Sequence, residues 1–223
     1  MRRLRDHGLS LFFGTIFLLA LLGQAVSGLA AYNNGQLGTG GEPVTIWAYV
    51  TSSSFAVDVA ENWQSEYLQF LLMIVATVWL VQRGSTESKP VDDTGLETAK
   101  EQKIGRYAEE SSPRWAKVGG WRTHVYSNSL ALVMGLIFVG SWLAQSIAGR
   151  AAYNAEQIAD LSDPVPWTGY VTSADFWNRT LQNWQSEFLA VASMVLLSIY
   201  LRQRGSPESK PVGAPHESTG VEG

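Results

Sequence analysis

The chain has 223 residues, of which 46% are hydrophobic and 16% charged, with a formal net charge of −4. It contains no cysteine, which excludes disulfides, thiolate nucleophiles, iron–sulfur clusters and thiolate zinc sites. The modest total charge excludes little, because in a chain this apolar the placement of Lys and Arg carries more information than their sum.

The first element follows Arg2, Arg3 and Arg5: an apolar block over residues 9–31. It is long enough to cross a bilayer core of about 30 Å as a helix. The same pattern fits a secretory signal peptide. The third block, over 128–149, argues against that, because it repeats the first and cannot be a leader. Gln24 and Gly28 close the first block, as Gln145 and Gly149 close the third. Small residues beside a glutamine predict close helix packing, with the amide bonding across the interface.

A polar stretch near 32–62 comes next, with turn residues Asn33, Asn34, Gly35, Gly38, Gly40, Gly41 and Pro43 in its first half. Ser54, with Asp175 at the equivalent later position, predicts a helix N-cap. That helix runs into a second span over 63–82, and its counterpart forms a fourth over 184–202. The apolar blocks themselves, 67–82 and 188–201, are short, and the spans become long enough by beginning in the segments Asn62-Trp63-Gln64-Ser65-Glu66 and Asn183-Trp184-Gln185-Ser186-Glu187. On a helix Asn62, Ser65, Glu66 and Gln69 form one polar stripe, and Asn183, Ser186 and Glu187 form another, each beside aromatic residues. Two such stripes at a common mouth predict a site for a cation or an amine. The plainer alternative is an aromatic belt with solvated carboxylates.

Between the second and third blocks, residues 92–127 read as a polar cytoplasmic linker with a short helix near 95–110. Residues 213–223 read as a disordered tail. Offsetting the chain by 121 residues aligns 7–91 with 128–212 without a gap, and about 37 of the 85 pairs are identical. The organisation is therefore repeat 1 (1–91), linker, repeat 2 (128–212) and tail. Each repeat holds an even number of spans, so the two are expected to be parallel. The expected fold is all-α, a bundle of four transmembrane helices made from two tandem two-helix repeats.

The cations assign the sides. Fourteen of the 16 fall with the termini and the linker, and only Arg150 and Arg179 fall in the two intervening loops. The positive-inside rule then places both termini in the cytoplasm.

No Asp, Glu, Lys, Arg or His lies centrally in a span, as proton relays and ion pathways require. His7, His124 and His216 show no metal-ligand spacing, and no phosphate loop, nucleophile elbow or zincin motif is present. Asn178-Arg179-Thr180 matches a glycosylation acceptor only as a three-residue pattern. No catalytic residue, metal or cofactor is expected. The expected partners are the lipid bilayer and a membrane-protein partner or homo-oligomer, with no nucleic acid.

The Asn-Trp-Gln-Ser-Glu segments, with the Gln-Arg-Gly-Ser-x-Glu-Ser-Lys-Pro stretches that follow at 82–90 and 203–211, resemble a family of small bacterial membrane proteins of unknown function. The resemblance covers nearly the whole chain. It implies a protein of the bacterial inner membrane and supplies no activity, substrate or cofactor.

Overall fold

The computed structural model describes residues 6–220; Arg2, Arg3, Arg5 and residues 221–223 lie outside them. Among the described residues the secondary structure is helical, with no strand. The elements are α1 (Gly8–Gly38), α2 (Ile46–Val50), α3 (Ser53–Ala76), α4 (Arg114–Lys117), α5 (Gly120–Ser127), α6 (Ser129–Ala159), α7 (Trp167–Val171) and α8 (Ala174–Tyr200). Short 3₁₀ turns lie at Val91–Asp93 and Gly105–Tyr107. Helix bounds recur at the 121-residue interval: Gly8 and Gly38 match Ser129 and Ala159, Ile46 and Val50 match Trp167 and Val171, and Ser53 matches Ala174.

α1 and α6, each of 31 residues, are long and apolar enough to cross a membrane. At 1.5 Å per residue each spans about 46 Å, well beyond a hydrocarbon core. Their most apolar stretches are almost wholly unburied, and Leu9, Leu18, Leu19 and Leu22 on α1 and Leu136 and Val139 on α6 are all more than half exposed. Surface this apolar calls for a covering other than water. α3 and α8 differ, since Asp58, Glu61 and Glu66 sit in the first of them and Asp175, Arg179 and Glu187 in the second.

Both of these helices start earlier than Ser54 and Asp175 suggested. The caps are Ser52 and Ser173, whose hydroxyls accept the N–H of Phe55 and Phe176, each at 3.2 Å. Position 54 is serine and the position 121 residues on is aspartate, whereas the capping residue is serine at both places. Serine suits the extended N-cap conformation that the Ser173 backbone adopts, so the identical residue does the capping.

The chain divides into two compact units, Met1–Ala60 with Ala144–Thr172 and Glu61–Leu143 with Ser173–Gly223. In the first unit, the turn after each long helix is closed in the same way. Asn33 donates through Nδ2 to the Val44 carbonyl at 3.0 Å and accepts the Val44 N–H at 2.8 Å. Asn154 holds Val165 at 3.0 and 2.9 Å. A side-chain amide that both donates and accepts here satisfies a backbone pair that an irregular turn would leave open.

The clamp delivers α2 and α7 against the preceding long helix. Tyr49 is buried with its hydroxyl against Gly28, and Tyr170, fully buried, sits likewise against Gly149. Ring pairs support both, Tyr32 with Tyr49 and Tyr153 with Tyr170, each with centroids 5.5 Å apart. The glycines thus make room for a tyrosine, not for the backbone of another long helix as the sequence suggested. A Cβ at Gly28 would lie 3.0 Å from Tyr49 Cζ, and one at Gly149 2.9 Å from Tyr170 Cζ. Of the two glutamines, Gln145 is fully buried and Gln24 only half-buried.

Gly28→Ala and Gly149→Ala are therefore expected to destabilise the protein by about 1–3 kcal/mol each, by forcing an overpacked tyrosine to move. Gly23→Ala, where a methyl group meets open space, is the control and should be neutral or slightly stabilising. Thermal unfolding in detergent micelles measures all three; equal midpoints for Gly23→Ala and Gly28→Ala contradict the tyrosine notch.

Candidate functional site

The two tryptophan segments lie within α3 and α8, and in the second unit they do different things. Gln64 is fully buried, and Trp184 donates its indole N–H to Gln64 Oε1 at 2.8 Å. Trp184 is also part of an aromatic cluster around Trp142. Trp142 stacks on Phe138 (centroids 5.6 Å) and Phe176 (6.3 Å), meets Trp177 edge-on at 6.2 Å, and lies 6.0 Å from Trp184. Among the described residues, the buried donors Gln64 Nε2 and Trp142 Nε1 in this region have no acceptor. Leaving such a group unpaired costs about 1–3 kcal/mol, so the pair marks a place suited to an oxygen acceptor.

The predicted stripe residues are only partly gathered here. Ser65 is buried but spends its hydroxyl on the Asn62 carbonyl at 2.9 Å, as Ser186 does on Asn183. Asn62 and Glu66 are exposed, and Gln69 has a buried Oε1 without a donor. Asn183 donates to the Arg179 carbonyl at 3.0 Å. Glu187, half-buried, lies three residues after Trp184 on the same helix face and close enough to Glu66 to feel its charge. The identical segments are thus unequally employed, for Gln185 is exposed and Trp63 is 42% exposed.

Arg179, read from the sequence only as a topology marker, bridges two acids. It meets Glu61 at 3.1 Å and Asp175, one helical turn earlier, at 3.6 Å. Glu61 aligns with Gln182 across the 121-residue offset, so comparing the copies offered no signal for this pairing. Tyr49 and Tyr170 were legible in principle, being identical residues in a segment read simply as loop. Burial first, then the charge of Asp58, pushes the Tyr49 hydroxyl above its ordinary pKa of 10.0.

The matching stretches at 82–91 and 203–212 fold into two like knots. Ser88 Oγ accepts the Gln82 N–H, and Ser209 Oγ the Gln203 N–H, each at 2.8 Å. Ser85 Oγ accepts the Glu87 N–H at 3.1 Å and Ser206 Oγ the Glu208 N–H at 3.2 Å. The lysine of each knot grips a carbonyl six residues on, Lys89 that of Gly95 at 2.9 Å and Lys210 that of His216 at 2.8 Å.

Lys210 also donates to Gly84 O at 2.6 Å, Ser218 O at 3.1 Å and Pro215 O at 3.4 Å, and it is 1% exposed. Residues 213–220, where composition suggested disorder, therefore fold over a buried ammonium. Polar composition missed this because the ordering comes from backbone carbonyls, which every residue supplies. Gly84, at φ 87°, can only be glycine here: a Cβ would run into the His216 carbonyl.

The knots meet where Thr86 donates to the Glu208 carbonyl at 3.3 Å, and the first knot also touches α8, where the Ser85 and Ser198 hydroxyls lie 3.1 Å apart. Glu87 borders an open cleft of about 480 Å³, also lined by Thr86, Lys89 and Glu97. Burial first, and then the Glu208 charge, raise the Glu87 pKa above its ordinary 4.5. Among the described residues no group of three or more His, Cys, Asp or Glu is placed to hold a metal ion.

Two expectations follow. The folded protein holds the Glu87 proton more tightly than the unfolded chain, so the stability linked to it is complete below pH 4.5 and is lost as pH rises through the higher folded value. Glu87→Gln should gain on wild type between pH 4 and 7, as read by unfolding midpoints across that range; a constant offset contradicts the assignment. At the aromatic cluster, Gln64→Leu strands the Trp184 indole and should cost about 1–3 kcal/mol. Adding Trp184→Phe should recover part of that loss, and strict additivity in the double-mutant cycle would show that the bond contributes nothing.

The family described as Domain of unknown function (DUF6766) matches residues 1–221. Comparison with curated proteins found no match, and neither did comparison with solved structures.

Proposed function

Since the chain belongs to the DUF6766 family, whose description carries no activity, we propose from the residues that this is a non-enzymatic, four-span protein of the bacterial inner membrane that binds a small amine bearing an oxygen acceptor. α1, α3, α6 and α8 are the spans, paired as two tandem hairpins. Both termini and residues 84–127 are cytoplasmic, a reading supported by the 14-to-2 division of the cations. α3 and α8, at 24 and 27 residues, reach about 36–40 Å over their whole length; with their tryptophan segments at the interface, about 21 and 26 Å of helix remain, short spans of the kind a locally thinned bilayer accommodates.

A single observation carries the binding reading: Gln64, fully buried, keeps a donor without an acceptor beside Trp184. An oxygen of the ligand pairs with Gln64 Nε2. Its ammonium group rests against the faces of Trp142 and Trp184 and is neutralised by Glu187, with Glu66 near it. A second reading, a small transporter component using the same site, draws on the same carboxylates.

The test is titration of ethanolamine, choline and glycine betaine into protein reconstituted in nanodiscs, read by tryptophan fluorescence. A saturable change is expected with at least one of them, weakened at least tenfold in Glu187→Gln and lost in Gln64→Leu. No change with any of the three, or unchanged affinity in both variants, overturns the assignment. Flux of the bound amine into proteoliposomes, abolished in Glu66→Gln/Glu187→Gln, decides for transport; binding without flux decides against it. Reporter fusions after Gly84 and Gly205 should report cytoplasm, and an external signal at Gly84 overturns the four-span arrangement.

A further inference from the structure

The segment leading into α6 is built differently from the rest of the connecting chain. The sequence suggested a helix near 95–110; that stretch holds only the 3₁₀ turn at Gly105–Tyr107, and the helices are α4 and α5. They are tied together where Thr123 donates to the Trp115 carbonyl at 2.6 Å, over the buried Ala116. A single residue, Asn128, separates α5 from α6.

This pair of helices turns large apolar groups outward. Trp121 is 67% exposed, Val118 49% and Trp115 41%, and Trp115 and Trp121 pack edge-on with centroids 6.0 Å apart. The exposed apolar surface continues into α6 at Leu130, Leu132 and Val133. Charge is equally one-sided. Arg114, Lys117 and Arg122 lie here, and no Asp or Glu occurs between Glu110 and Glu156. Arg122 stacks over Trp121 at 5.5 Å, joining the basic and aromatic groups into one surface.

We propose that residues 113–126 are a docking surface for anionic lipid headgroups of the cytoplasmic leaflet. The surface rests on the reading of α6 as a membrane span with its first turn on the cytoplasmic side. Trp115, Val118 and Trp121 enter the boundary between headgroups and acyl chains, where amphipathic rings settle. Arg114 and Arg122 meet the lipid phosphates, together with Lys117, whose ammonium also donates to the Glu110 carbonyl. Exposed aromatic and aliphatic groups beside three cations match a leaflet that is apolar inside and negative at its face. An acidic protein partner would match the cations but not their continuity with the exposed face of α6.

The natural absence of cysteine permits a direct test with single labels. Val118→Cys carries an environment-sensitive fluorophore, and Leu136→Cys, on the exposed face of α6, is the control for immersion. Each labelled protein is reconstituted into vesicles of phosphatidylcholine alone or mixed with phosphatidylglycerol, with and without brominated acyl chains. The expected result at Val118 is a blue shift and bromine quenching in the phosphatidylglycerol vesicles. Both should decline in phosphatidylcholine alone and in high salt, and be lost in Arg114→Gln/Lys117→Gln/Arg122→Gln. A quenched Leu136 label with a water-exposed Val118 label overturns this surface and leaves the span intact. Unquenched labels at both positions overturn the span as well. A Val118 label that is blue-shifted but not quenched is covered by protein, and one quenched equally in every vesicle and variant has no need of anionic lipid; either result sinks the proposal.

Discussion

The two hydrogen bonds between Asn33 and Val44, and their duplicates between Asn154 and Val165, fix how the chain turns after each 31-residue helix. Pro43 and Pro164 precede the clamped valines and stiffen the approach. Once the turn is held, the short helix that follows has one place to go, and its tyrosine finds the notch at Gly28 or Gly149. The capping serine then starts the next long helix three residues after that short one ends. Clamp, notch and cap form a sequence of local decisions, and each relies on the one before it.

Identical residues in the two halves do not carry identical loads. Gln64 is sealed from solvent and takes the Trp184 indole, while Gln185 and Trp63 stand at the surface. The difference begins with neighbours that are not duplicated. Trp142, the hub of the aromatic cluster, aligns with Leu21, and Trp177 aligns with Ala56. Phe138, Phe176, Trp177 and Trp184 gather around this unduplicated Trp142, which draws Trp184 inward.

Much of the all-helical architecture was legible from residue type alone. Apolar runs marked α1 and α6, and the 121-residue offset marked where each element returns. The parts that escaped depend on geometry that composition does not encode. Ser52 and Ser173 look no better as caps than Ser54 does until the backbone is seen. Gly28 reads equally well as a helix contact or as a tyrosine notch, because both need the same missing Cβ. Within the candidate site, the Asn-Trp-Gln-Ser-Glu segments were found by identity, but identity pointed to the two glutamates. The buried residues are Gln64 and Ser65, just before the first of these glutamates, and burial of one of two equal residues is decided by what surrounds them.

Lys210 shows how surroundings alter the reactivity of a side chain. An amine attacks an acylating or alkylating reagent through its lone pair, which an ammonium lacks until it surrenders a proton. Here the nitrogen is ringed by the carbonyls of Gly84, Pro215, His216 and Ser218, which share its three protons, and only 1% of the residue meets solvent. Deprotonation would set the lone pair against those carbonyl oxygens, and the reagent has no path to it. Amine-directed chemistry on the folded protein therefore passes over this lysine, and its labelling reports the opening of the carboxy-terminal fold.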